Sequence, residues 1–234
     1  MIKMKNYIKN IGIGVSGILI YFGSAMIKTL PSVLLGININ NVPHFLKVTY
    51  LISFELLLIT LVALLYRDLL TQKWNDLKKH HKKYFHTYFK YWFLLLGLMM
   101  LSNALIMLIT NDTSGADNQK QVIDMFSNAP IYTYISAVIF APILEELVFR
   151  QSIRMIIPKC NLLFILVSGF VFGGIHVLGA STLTQFLYIM PYSIPGLIFA
   201  YVLVKSDNIF NTMGLHFVHN GMLMAMQVIV LLLG

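Results

Sequence analysis

The chain has 234 residues, 58% of them hydrophobic and only 11% charged, with a formal charge of +8 and a mean hydropathy of +0.77. A soluble domain of this length needs far more polar surface, so this composition excludes one and makes the membrane the solvent. The basic excess follows topology and is no nucleic-acid signature, and a lone cysteine, Cys160, excludes an internal disulfide.

In chain order, apolar runs fall at Ile11–Ile27, Phe45–Tyr66, Trp92–Thr110, Ile131–Phe149, Leu162–Leu178, Phe186–Val204 and Ile209–Leu233. Each is near the ~20 residues that cross a hydrocarbon core as a helix. The expected fold is all-α, a polytopic transmembrane bundle of seven helices forming a single domain over residues 1–234. An eighth piece, Leu30–Ile37, is too short to span and is expected to be re-entrant or interfacial. The first run follows Lys3, Lys5 and Lys9, and its Gly23-Ser24-Ala25 imitates a signal-peptidase site. Six further runs behind it favour an uncleaved helix.

Arg67–Trp92 is basic and aromatic and predicts an amphipathic segment on an anionic lipid surface. Asn111–Ala129 is polar, carries Asp112, Asp117 and Asp124, and matches no binding motif. Pro191 and Pro195 predict a kink or break in the sixth run, which lipid tolerates where neighbours satisfy the freed backbone. With a cytoplasmic N-terminus, the inner segments carry Lys3, Lys5, Lys9, the basic residues from Arg67 to Lys90, Arg154, Lys159 and Lys205. The outer ones carry only Lys28, Lys47 and Lys120. This asymmetry predicts a multi-pass cell-membrane protein with its N-terminus in the cytoplasm. Abundant Lys, Ile and Asn point to a bacterium.

All three glutamates, Glu55, Glu145 and Glu146, lie in apolar runs, as do His176, His216 and His219. A charge at mid-bilayer costs at least ~2.5 kcal/mol, so such groups pair, protonate or face a wet cavity. In "APILEELVFR" (141–150), Glu146 and Arg150 are one helical turn apart and can form an ion pair. Glu145 points about 100° away from Glu146 and is free for another task. A purely anchoring pair at a helix end, with Arg150 snorkelling to the surface, is the structural alternative.

In "GFVFGGIHVLG" (169–179), Phe172 and His176 are one turn apart, and Gly169 and Gly173 permit a close helix approach. "GLHFVHNG" (214–221) puts His216 and Asn220 one turn apart, with His219 nearby. These groups suggest hydrolysis without a Ser or Cys nucleophile. A buried carboxylate with His176 holds and deprotonates a water. His216 and Asn220 then donate to the oxygen that becomes negative as the water attacks an amide carbonyl.

"EELVFR" (145–150), "FGGIH" (172–176) and "HFVHN" (216–220), in this order and on successive runs, resemble the three motifs of the CAAX protease and bacteriocin-processing family of intramembrane endopeptidases. The resemblance covers about 131–227, the expected catalytic core. It implies Glu145 as the water-activating residue with His176 as partner, and His216 and Asn220 as the oxyanion site. Glu146, Arg150 and Phe172 match supporting positions, and His219 is extra to the pattern. Relatives of this kind act on prenylated CAAX proteins in eukaryotes, and in bacteria on peptides and signalling proteins or in bacteriocin immunity. A peptide or membrane-protein substrate is therefore expected here.

A metal stays open. Glu145, His176 and His216 could hold zinc, but the H-E-x-x-H spacing is absent, and metal-independent catalysis is favoured. Two other classes compete with the protease. One is a non-catalytic immunity or scaffold protein of the same fold. The other is a proton-coupled transporter using Glu55, Glu145 and His176, against which the missing inverted repeat counts.

Overall fold

The computed structural model describes residues 2–37 and 41–233, and these contain helices and no strand. The side chains of Lys3 and Lys5, counted in the charge asymmetry, lie outside this description. The helices are α1 (Ile2–Leu35), α2 (His44–Leu65), α3 (Arg67–Tyr88), α4 (Lys90–Thr110) and α5 (Asp117–Asn128). They continue with α6 (Pro130–Ile156), α7 (Asn161–Ile175), α8 (Leu183–Leu187), α9 (Ile189–Ser206) and α10 (Ile209–Leu233).

Among the described residues, six helical segments are long and apolar enough to cross a membrane: those of α1, α2, α4 and α6, the joined α8–α9, and α10. The all-α membrane bundle is as expected, and the count of seven is approximate. The fifth run is the shorter α7, whose 15 residues rise only about 22 Å. Leu30–Ile37 is no separate re-entrant piece, because its residues to Leu35 continue α1. Most of Arg67–Trp92 is the 22-residue α3, with no buried residue.

Proline sets two boundaries near the site. The sixth run breaks at Tyr188, between α8 and α9. Pro191 has no N–H for the carbonyl four residues back, Leu187, and its ring crowds that carbonyl. At the other boundary, Ile157 precedes Pro158, leaves helical geometry (φ −117°, ψ 66°) and ends α6. The sequence reading stopped this span at Phe149. The helix in fact runs seven residues further, so Arg150 lies inside it rather than at an end.

Glycines bring the backbones around α6 together. A Cβ on Gly196 of α9 would fall 2.8 Å from the Gly169 Cα of α7, so these helices cross in backbone contact. On the opposite side, a Cβ on Gly14 of α1 would lie 2.6 Å from the Ser152 carbonyl oxygen. One on Gly17 would lie 2.8 Å from Ser152 Oγ. α1 is thereby pressed against the second half of α6.

Candidate active site

α6 is not a uniform α-helix. Two π-turns, Ser136–Phe140 and Glu146–Ser152, interrupt it. In the first, Ala141 N–H bonds the Ser136 carbonyl, five residues back. The next carbonyl, Ala137, would take the N–H of residue 142, which is proline and has none. The Asn220 side chain of α10 donates Nδ2–H to that carbonyl at 2.8 Å. Pro142 thus frees a backbone acceptor inside the bundle, and Asn220 satisfies it.

The second π-turn starts beside Glu145. Glu146 and Arg150 are both fully buried, with Arg150 Nε 3.4 Å from Glu146 Oε2. This is an ion pair by distance, but its geometry is not that of a hydrogen bond, and the guanidinium nitrogens have no hydrogen-bond partner among the described residues. Aromatic faces hold the guanidinium instead: Phe172 at 4.0 Å and Phe199 at 5.6 Å from ring centre to Cζ. Expected to support the site, Glu146, Arg150 and Phe172 do meet. The alternative of Arg150 snorkelling to the surface is overturned by its burial.

His216 occupies a position that the motif spacing alone did not reveal. Its Nδ1 is 2.9 Å from Glu146 Oε1, and its Nε2 faces Glu145 Oε2 at 3.7 Å. Facing a guanidinium, Glu146 acts as acceptor, so Nδ1 carries the hydrogen and Nε2 is left toward Glu145. The 3.7 Å separation exceeds a direct hydrogen bond. Rather than standing free, Glu145 has His216 as its neighbour from another helix.

His176 sits one ring away. Phe172 lies 4.6 Å from its ring and 6.0 Å from that of His216. Nδ1 of His176 donates to the Phe172 carbonyl at 2.8 Å, leaving Nε2 as the free nitrogen. Tyr192 of α9 stacks on the His176 ring at 4.7 Å. His176 also borders a cavity of about 300 Å³ lined by Asp117, Asn118, Gln185 and Tyr192. That cavity lies at the end of the bundle that carries α5, away from α3 and the Arg154–Asn161 turn.

His219 is buried and its Nδ1 has no hydrogen-bond partner. Tyr21 of α1 was not foreseen. It meets Phe149 edge to face at 5.2 Å and packs with Val148, Phe149 and Phe172. The glycines of "IGIGVSG" (11–17) signal the close approach that brings it there, but nothing in the sequence says which helix they face.

Among the described residues, no three His, Cys, Asp or Glu side chains gather to hold a metal. The Nδ1 of His216 is engaged by Glu146 and that of His176 by a carbonyl, the way zinc-binding histidines are oriented, but Glu145, His176 and His216 do not gather around one point, and no step below passes through a metal.

Residues 127–222 match the family of Rce1-like proteins, described as type II CAAX prenyl endopeptidase Rce1-like. That segment is similar to the CAAX protease family, as its three motifs implied, and the apolar helices make the chain a multi-pass membrane protein. No curated protein and no solved structure matches it.

Proposed function

We propose that the chain is a glutamate-dependent intramembrane endopeptidase, cleaving a peptide bond of a membrane-associated peptide or protein. One observation carries the reading: His216 lies between Glu145 and Glu146, with Asn220 on the following turn. Such a cluster in an apolar bundle needs a task that rewards its desolvation.

Glu145 takes a proton from a water, helped by the free Nε2 of His176, and the water oxygen attacks the amide carbonyl carbon. His216, oriented by Glu146 through Nδ1, donates from Nε2 to the oxygen that becomes negative when it carries a proton on both nitrogens. The second N–H of the Asn220 amide completes the oxyanion site. Collapse breaks the C–N bond, and Glu145 returns the proton to the leaving amine. Water has then been added across one peptide bond.

The charge asymmetry supports an N-terminus in the cytoplasm and a lipid-facing α3, the Lys-, Ile- and Asn-rich composition supports a bacterial cell, and nothing in the basic segments asks for nucleic acid. The test uses purified protein in liposomes, a mixture of membrane peptides and H₂¹⁸O. Hydrolysis puts one ¹⁸O into each new C-terminus, and Glu145→Gln abolishes it. Equal labelling by wild type and variant contradicts the proposal.

A further inference from the structure

Glu55 of α2 lies outside the matched segment and in none of the motifs. Its Oε1 accepts from the Tyr132 hydroxyl at 2.8 Å and from Ser136 Oγ at 3.1 Å. Lys28 Nζ of α1 stands 4.0 Å from the same oxygen, and Oε2 is buried without a partner. Three helices, α1, α2 and α6, thus meet at a carboxylate that an apolar helix would exclude if it had no task.

The task follows from where the donors sit. Ser136 opens the first π-turn, and its carbonyl takes the five-residue bond from Ala141. The next residue, Ala137, presents to Asn220 the carbonyl that Pro142 leaves free. π-turns are rare insertions that survive where surrounding contacts hold them. If this one relaxed, the Ala137 carbonyl would swing away by a large part of the ~100° between helix neighbours.

We infer that Glu55 is a positioning residue for Asn220: gripping Ser136 from α2, it fixes the π-turn whose Ala137 carbonyl orients the Asn220 amide. This rests on the function proposed above only for what Asn220 does; its placement is independent of cleavage. α2 therefore takes part in the site although the family segment begins at residue 127.

The test reads Asn220 directly. The full chain, ¹⁵N-labelled at asparagine and held in nanodiscs, gives a side-chain amide signal for Asn220 that is assigned by its loss in Asn220→Ala. Ser136→Ala and Glu55→Leu should shift this signal towards that of a free amide and speed its exchange with water at least about fivefold, the scale of one lost hydrogen bond. Tyr132→Phe removes a comparable bond from the same Glu55 oxygen but lies outside the π-turn, and should leave the signal in place. Should Glu55→Leu fail to fold, Ser136→Ala decides alone. An unmoved signal in Ser136→Ala, or equal movement in Tyr132→Phe, overturns the inference. A wild type that cleaves nothing would contradict the proposed function and leave this readout intact.

Discussion

His216 is held by Glu146, Nδ1 to Oε1 at 2.9 Å, and this contact fixes what the rest of the ring can do. It chooses the nitrogen that carries the hydrogen, and so turns Nε2 toward Glu145 at 3.7 Å. The two adjacent glutamates therefore divide the work on one imidazole.

Glu145→Gln keeps the shape and removes the base. Cleavage should fall about 10²–10⁴-fold, the usual worth of a positioned acid–base group, with the melting temperature in detergent nearly unchanged. Parallel activity and unfolding measurements check this. A large loss of stability would assign Glu145 a structural role instead.

Glu146→Gln strands a fully buried Arg150. Removing one partner of a buried pair costs roughly 3–5 kcal/mol, so the variant should melt several degrees lower. Glu146→Gln combined with Arg150→Met should recover part of that loss, since two neutral side chains leave no unpaired charge. Activity should stay low, because His216 has lost its carboxylate. Thermal unfolding of wild type, single and double variants reads the cycle.

Gly17→Leu forces a side chain into the space held by Ser152 Oγ and the Tyr66 hydroxyl, which are themselves 2.6 Å apart. Overpacking of this kind costs about 1–3 kcal/mol. It should lift α1 and withdraw Tyr21 from Phe149. Gly12→Leu, in open space, should do neither; a cysteine cross-link between α1 and α6 reports the separation.

On α3, the Tyr84 hydroxyl and then the Asn208 amide hold the Asp76 carboxyl well below its usual range, at about 2. Burial and then Asp76 push Tyr84 up to about 12. A depressed carboxyl stabilises the fold above its unfolded value of about 4. That contribution fades as pH falls from there through about 2. A raised phenol stabilises it below about 10 and loses effect as pH rises through about 12. The latch between α3 and the α9–α10 turn should therefore loosen in acid below about pH 4. Trp74 of α3 lies 5.3 Å from Phe210 of α10, and its fluorescence should report the loosening, while Asn208→Ala should move the transition to higher pH.

Much of the bundle was legible because lipid makes apolar length nearly equal to span. The three motifs were legible because polar groups inside such spans need a reason. The contact of Glu146 with Arg150 followed from four-residue spacing, and a close helix approach from Gly169 and Gly173, although not that α9 is the helix that comes near. His216 between two glutamates was not legible: the pairing joins residues 70 apart, across helices whose rotation depends on the π-turns. Pro142 was in plain view, yet the acceptor it frees acquires meaning only when Asn220 arrives from α10. The end of α6 was misplaced because Arg150 looks like a surface charge, when it is among the most buried side chains.

The central claim is that Glu145 activates water for peptide hydrolysis. Its most direct test compares peptide termini in membranes of cells carrying wild type or Glu145→Gln at equal expression, by mass spectrometry. The account predicts a set of new termini present with wild type and missing with the variant, while both proteins remain folded in the membrane. Identical termini in the two, with the cellular phenotype preserved by Glu145→Gln, would contradict it and favour a binding protein of the same fold.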